Sequence, residues 1–245
     1  MYKILTLIPS RLSAVRLPNK PLLKINGISL INHVYNKAVN SSLGDVYVVT
    51  GDVEILDEVK NSGGKCILTK KHHKTGTDRI FEGLQKVKKK DYDYILNLQG
   101  DEPLISVHDL KNLVNKAFTE RFDIGTLGCE LSDNKLSNKN IVKVETASEL
   151  NDNNFSKAVN FFREKSNNKI KNIYHHVGVY IYKYDVLKKF VELKQTKKEK
   201  KLKLEQMRAL ENNIDLDVIL AKTIPIGVDT LDDFNNVKKI LETNI

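Results

Sequence analysis

Two patterns of apolar positions alternate along the first half of the chain. Short apolar runs rich in β-branched residues at Ile4–Ile8, Val46–Thr50, Cys66–Leu68 and Tyr94–Leu98 predict strands. Between them, Leu30–Val39, Val53–Lys60 and Thr77–Val87 predict helices. The last of these sets Ile80, Phe81, Leu84 and Val87 at helical spacing. Strand and helix in alternation are the signature of a parallel sheet with crossover helices. Thr50–Gly51–Asp52 and Ser62–Gly63–Gly64 supply turns, and Ser106, three residues before Asp109, reads as the cap of a further helix.

The pattern loosens after Phe122. Ile124–Leu131, Ile141–Thr146, Ser156–Phe162 and Ile173–Tyr182 read as longer strands, some alternating, which predicts an antiparallel extension. Asn151–Asn154 and Lys165–Lys171 read as loops, Leu202–Leu210 as a helix and Asp217–Ala221 as a last strand. Thr230 and Asp233 form a capping box for a closing helix. No repeat and no low-complexity linker interrupts the chain. The expectation is one α/β domain over 1–245, a mostly parallel sheet flanked by helices with a smaller antiparallel β lobe. Its parts run over about 1–122, 123–215 and 216–245.

Composition sets the class. At 245 residues, 40% hydrophobic and 29% charged, the chain can bury a core without disulfide or metal staples. No apolar run approaches the roughly 18–20 residues of a membrane span, and Met1–Pro9 is too short for a signal peptide. Cys66 and Cys129 stand far apart, which argues against a disulfide framework or a Cys zinc site and fits a reducing cytoplasm. The net charge of +9 admits nucleic acid, an anionic membrane or a polyphosphate substrate. Its lysines gather in Lys86–Lys90 and Lys197–Lys203 without interleaved aromatics, so these runs read as solvated surface, with no nucleic-acid or membrane partner expected.

Ligands of open α/β sheets bind at the carboxyl ends of the strands, so the loops there carry the candidate chemistry. The loop after the first predicted strand holds Arg11, Arg16 and Lys20 among three prolines and no glycine. That excludes glycine-rich dinucleotide and P-loop motifs, and leaves side-chain recognition of a polyphosphate or a plain basic surface loop. Gln99–Gly100–Asp101–Glu102–Pro103 and Gly227–Val228–Asp229–Thr230 each put carboxylates at a strand end, where Mg²⁺ binds through one or two carboxylates plus phosphate and water. A metal-free turn is the other reading. Thr75–Gly76–Thr77 leads into a helix, as a plain start or as a polar ligand site. His72–His73 and His175–His176 are adjacent pairs whose side chains diverge on a strand, against a joint metal site. No nucleophile elbow or zincin motif occurs.

Together these segments resemble the 3-deoxy-manno-octulosonate (KDO) cytidylyltransferases. Ile8–Pro9–Ser10–Arg11 and Arg16–Leu17–Pro18–Asn19–Lys20–Pro21–Leu22 are similar to the family's IPAR and RLPGKPL, with Asn19, which tolerates a left-handed backbone, in place of Gly. His73–Arg79 is similar to HxSGT[ED]R, and Asn97–Ile105 to NVQGDEPLI, the most specific segment. Asn140–Val144, His176–Tyr180, Leu204–Leu210 and Gly227–Thr230 resemble NAVKVV, HLGIYGY, LEQLRAL and GVDT, all in register. After Arg163 the family's Ile-Pro is replaced by Ser166–Asn167.

The resemblance implies a nucleotide-diphospho-sugar transferase-like fold, with a nucleotide-binding part followed by a sugar-binding and dimer lobe. It implies transfer of a cytidylyl group from CTP to KDO with release of pyrophosphate, for lipopolysaccharide synthesis in a cytoplasmic homodimer. Arg11 and Lys20 would hold the triphosphate; Asp101 and Asp229 would bind Mg²⁺. Pro9, Ser10, Arg16, Thr75, Gly76, Thr77, Arg79 and Gln99 would face the nucleotide. Gln99, His176, Glu205 and Gln206 would meet sugar hydroxyls, and Arg163 the sugar carboxylate. The alternatives are a cytidylyltransferase for 8-amino-KDO or an acylneuraminate, a metal-dependent glycosyltransferase, and a basic nucleic-acid-binding module. A grip on departing pyrophosphate counts against the second, and the interspersed acids count against the last.

Overall fold

The computed structural model describes residues 3–13, 16–88, 91–152, 154–164 and 171–243. The expectations for Ala14, Val15, Lys89, Lys90, Asn153 and the loop over 165–170 lie outside them. The chain groups into two compact units, Met1–Lys111 with Pro225–Ile245, and Asn112–Ile224. The changes of unit at 111/112 and 224/225 stand beside expected boundaries of 122/123 and 215/216. Among the described residues, no helix is long and apolar enough to cross a membrane.

The first unit opens with β1 (Ile4–Ser10), followed by a 3₁₀ turn (Lys20–Leu22) and a small hairpin of β2 (Lys24–Ile25) and β3 (Ile28–Ser29). It continues through α1 (Leu30–Asn40), β4 (Asp45–Thr50), α2 (Val53–Asn61), β5 (Cys66–Leu68), α3 (Gly76–Lys86) and β6 (Tyr94–Asn97). Its strands pair in parallel in the order β5-β4-β1-β6. Ile4–Ile8 of β1 and all of β6 are buried, as near-continuous apolar runs covered on both faces require. Because the strands are parallel, the loops after β1, β4, β5 and β6 all emerge at one edge of the sheet. Pro9 stands near the end of β1, beyond the last β1–β6 pair, Leu7↔Asn97.

Helix α4 (Val107–Thr119) starts as expected, with the Ser106 hydroxyl accepting from the Asp109 backbone N–H at 3.2 Å, and carries the chain into the second unit. That unit holds β7 (Ile124–Cys129), α5 (Asp133–Leu136), β8 (Lys143–Thr146), β9 (Ser156–Phe162), β10 (Ile173–Lys183), α6 (Tyr184–Glu192), α7 (Lys197–Leu202), α8 (Met207–Glu211) and β11 (Leu216–Leu220). Its pairings run β10-β7-β11-β9-β8 and return to β10, all antiparallel except β7–β11. The lobe expected over 123–215, β7 to β10, pairs antiparallel as expected, and the returning strand β11 adds the parallel pair. A register shift between Val177 and Tyr180 breaks the β10–β7 ladder.

The expected helix Leu202–Leu210 is two helices. Lys203 takes a left-handed backbone (φ 54), the Leu204 N–H closes on Glu199, and α8 begins afresh at Met207. The lysine run before it is helical because Thr196 and Glu199 make a reciprocal capping box, and its lysines are exposed as expected. Helix α6 has no counterpart among the expected elements, although buried Leu187 and Phe190 carry its i, i+3 signal. The chain then returns to the first unit, where α9 (Leu231–Thr243) buries Phe234 and Val237 against Leu17, Ile25, Leu30 and Val228.

Candidate active site

A cavity of about 430 Å³ opens at the carboxyl edge of the first unit's sheet. Eleven sequence candidates line it: Pro9, Ser10, Arg11, Arg16, Lys20, Thr75, Gly76, Arg79, Gln99, Asp101 and Asp229. Ser13, Pro21, His73, Lys74 and Gly100 join them. Thr77, 1% exposed, does not line it.

Lys20 lies at the centre of the acidic end. Asn19 adopts the left-handed conformation that its substitution for glycine requires (φ 56, ψ 18), and the 3₁₀ turn it starts points Lys20 inward, 8% exposed. The Lys20 Nζ donates to Asp101 Oδ2 at 2.8 Å, the Val228 carbonyl at 2.5 Å and Asp229 Oδ1 at 3.3 Å. Arg16 reaches the other oxygen of Asp229 at 2.8 Å. The two acidic segments are joined by main chain, since the Val228 N–H donates to the Asp101 carbonyl at 2.8 Å. The Asp233 carboxylate accepts from the N–H groups of Asp229 and Thr230 (3.1 and 2.8 Å), so the expected cap of α9 also orients Asp229. Gly100 is required by close approach: a Cβ there would come within 2.9 Å of the Pro9 carbonyl.

Glu102 is the second of the adjacent acids read from the sequence, and its burial sets it apart from Asp101. Burial, then the charges of Asp101 and Asp229, push its carboxyl up to about 8 against partial relief from Lys20. Its Oε2 is buried without a hydrogen-bond partner among the described residues. At neutral pH it is protonated, so two negative charges rather than three face Lys20. The adjacent acids are visible in the sequence, but their burial is not.

Other candidates serve the loops. The Arg79 guanidinium donates to Thr69 Oγ1 at 2.7 Å and to the Lys70 and Lys71 carbonyls at 3.2 and 3.1 Å, bracing the chain ahead of His73. Thr75 caps α3 by accepting from the Asp78 N–H. Asp52 accepts from the Leu12 N–H at 2.9 Å and anchors the loop bearing Arg11. The Cys66 thiol is pushed up to about 12 by burial and is no nucleophile.

The second unit holds the sugar candidates. His176 is buried next to the β10 irregularity, with Nε2 3.1 Å from Thr126 Oγ1. Thr126 has one hydroxyl proton, and its shortest contact is to the Val179 carbonyl at 2.7 Å, so it accepts from His176. This makes His176 the Nε2–H tautomer with an acceptor lone pair at Nδ1. Burial, with a smaller effect from His175, lowers its pKa to about 3. Glu205 and Gln206 lie on the turn between α7 and α8. That turn is held by Arg208, which forks onto buried Glu199 (2.9 and 2.5 Å) and lies over Phe190. Arg163 donates to the Lys139 and Asn140 carbonyls at 3.3 and 3.2 Å.

A folded histidine pKa near 3, against an ordinary value of 6.5, has a consequence of definite sign. Between those values the unfolded chain takes up a proton that the folded chain refuses. Stability is therefore fully present above 6.5 and falls with pH toward 3, by at most about 1.4 kcal/mol per pH unit for this group. His176→Gln keeps an N–H for Thr126 and should lose that one-proton slope in urea unfolding measured from pH 7 to 3. Equal slopes in the two proteins would refute the assignment.

The family model described as cytidylyltransferase matches residues 5–222. The chain belongs to the cytidylyltransferase family. It is 40% identical over 237 residues to the 3-deoxy-manno-octulosonate cytidylyltransferase of Bartonella henselae, covering 96% of this chain and 97% of that protein. It is 38% identical over 245 residues to the enzyme of the same description from Brucella anthropi, covering 99% and 98%. A solved structure of CMP:2-keto-3-deoxy-manno-octonic acid synthetase complexed with CTP is 32% identical, with a TM-score of 0.89 over 99% of this chain and 100% of that one. The 4-diphosphocytidyl-2C-methyl-D-erythritol synthase of Anaerococcus prevotii, 13% identical with a TM-score of 0.63 over 98% and 99%, shares the fold alone. This cytidylyltransferase is thus a nucleotidyltransferase on the expected nucleotide-diphospho-sugar transferase-like α/β fold.

Proposed function

We propose that this cytidylyltransferase transfers the cytidylyl group of CTP to the anomeric hydroxyl of KDO, giving CMP-KDO and pyrophosphate. One observation carries the reading: an ammonium gripped by Asp101, Asp229 and the Val228 carbonyl, at the end of a cavity lined by Arg11 and Arg16. That is a cavity lined by cations and ending at a set of oxygens suited to a cation. The names of the relatives supply the sugar.

In the reaction an oxygen–phosphorus bond forms from the sugar hydroxyl to the α-phosphate and the bond to the β-phosphate breaks, with the hydroxyl proton passing to solvent. Such transfer depends on positioning and charge neutralisation. Arg11 and Lys20 bind the triphosphate and meet charge accumulating on departing pyrophosphate. The Pro9–Ser10 backbone and Thr75–Gly76 face cytosine, whose exocyclic amine donates where uracil accepts, so a carbonyl acceptor selects CTP over UTP. Gln99, His176, Glu205 and Gln206 bind sugar hydroxyls, and Arg163 the carboxylate.

Asp101 and Asp229 are the residues that would hold Mg²⁺. Their convergence with a carbonyl on one ammonium is the hard oxygen donor set such an ion takes. When bound it supplies charge neutralisation of the phosphates and a lowered pKa for the attacking hydroxyl. A homodimer in the cytoplasm belongs to the same reading, and sedimentation at micromolar protein tests the dimer.

Pyrophosphate release with Mg²⁺ and KDO, run with CTP and with UTP, tests the activity. Release with CTP at least about 100-fold faster than with UTP is expected, the discrimination open to a site that hydrogen-bonds the base edge. A folded protein that binds CTP but stays silent with KDO would overturn the sugar assignment.

A further inference from the structure

Lys143 is the residue in the second unit whose placement the reaction does not explain. It lies on β8 with 0% exposure, and the structure gives its ammonium two partners, the Asn138 carbonyl at 2.5 Å and the Arg163 carbonyl at 2.8 Å. Among the described residues it has no carboxylate at ion-pair distance. The nearby acid, Glu164, is exposed and pairs with Lys139 at 3.0 Å. Withdrawing an ammonium from water without a counter-ion costs several kcal/mol. Burial and then Arg163 accordingly lower the Lys143 pKa, with Glu164 opposing them to a smaller extent. Lys143 also helps lower that of His175, after burial and Lys135, so the local field is positive.

The connections are reciprocal. Lys143 binds the main-chain carbonyl of Arg163, while the Arg163 side chain binds the carbonyls of Lys139 and Asn140. Two cations thus cross-stitch the segment before β8 to the end of β9. Register separates their duties. Lys143 stands opposite Phe162 on β9 and His175 on β10, so its side chain shares their face. His176 and Phe161 point to the other face, where their rings meet edge to face at 5.0 Å. Lys143 therefore approaches Arg163 from behind the His176 face, fully covered by protein.

We propose that Lys143 is a positioning residue for recognition of the substrate carboxylate: it fixes the main chain that carries Arg163, whose guanidinium meets the acid. This rests on the reading of Arg163 as the carboxylate contact. It explains why a cation is buried facing two main-chain carbonyls. An apolar side chain would leave the Arg163 main chain untethered from β8 and the Asn138 carbonyl with the Ile141 N–H alone. The anion offsetting the field is the sugar acid.

The test compares K143M, K143R, R163A and the K143M/R163A double variant in pyrophosphate release, with KDO and CTP varied separately. K143M is expected to raise the KM for KDO about tenfold while the KM for CTP stays within about twofold, and K143R to recover part of the loss. The double variant should be no worse than R163A alone, because Lys143 acts through Arg163. Should K143M fail to fold, K143Q, which keeps a hydrogen bond to a carbonyl, replaces it. If R163A raises the KM for KDO and K143M does not, or if their effects add, the positioning role is overturned and the Arg163 reading stands. If K143M acts while R163A is silent, the Arg163 reading fails and takes the proposal with it.

Discussion

Replacing Lys20 by methionine should lower kcat by about 1,000-fold while changing the KM for CTP by less than about tenfold, the pattern of an interaction realised mainly in the transition state. The size follows from where the ammonium sits. It is buried against Asp101, Asp229 and the Val228 carbonyl at the end of a cavity lined by Arg11 and Arg16, and the donors it turns to the two carboxylates would be freed for the phosphates where those carboxylates hold Mg²⁺. A charge held by prepositioned partners in a partly dry site needs no reorganisation when negative charge builds on the leaving group. Three orders of magnitude correspond to about 4 kcal/mol of barrier. Methionine fills similar space, so the fold should survive, with a stability loss of about 1 kcal/mol because Asp101 and Asp229 are partly solvated. Steady-state kinetics beside a thermal melt check both parts. A rise in the KM for CTP alone would make Lys20 a ground-state binding residue.

Asp101→Asn should cost at least as much, about 1,000-fold or more in turnover, with the protein folded and raised Mg²⁺ unable to restore the rate. The variant keeps the side chain's shape and the main-chain bond from Val228 to the residue 101 carbonyl. What it removes is one of the two carboxylates that converge on a cation. Asp229 is the more exposed of the pair, with its side chain 54% exposed against 35% for Asp101. Glu102 beside it is held protonated by burial and by the same two acids. Neither can take over the missing charge from its own position. Turnover within about tenfold of wild type would mean that the cation-binding role belongs to other residues.

Some of this architecture is legible from short-range pattern. The strand Cys66–Leu68 and the strand Ser156–Phe162 are found at their expected bounds, because apolar runs ended by turn residues leave little choice of register. The caps at Ser106 and Thr230 are visible because capping is a contact between residues three apart. Asn19 is legible for the same reason: the left-handed backbone is a property of one residue. The helix expected over Leu202–Leu210 breaks at Lys203, and its turn is held by Arg208 on buried Glu199, nine residues away and outside any local period. Helix α6 has its apolar spacing but follows a long strand without a breaker, so nothing local marks the change of period at Tyr184.

Local pattern was enough, then, for the alternating strands and helices of the first unit, for the loops that carry cations and carboxylates and, through seven segments in register, for the family. These are statements about neighbours along the chain, where propensity, capping and spacing act. Long-range folding alone sets Lys20 between acids 81 and 209 residues away, keeps the proton on Glu102 and brings Lys143 onto the Arg163 main chain. Charge, burial and hydrogen bonding depend on what long-range folding brings within a few ångströms, and a pattern of residue types holds no record of those distances.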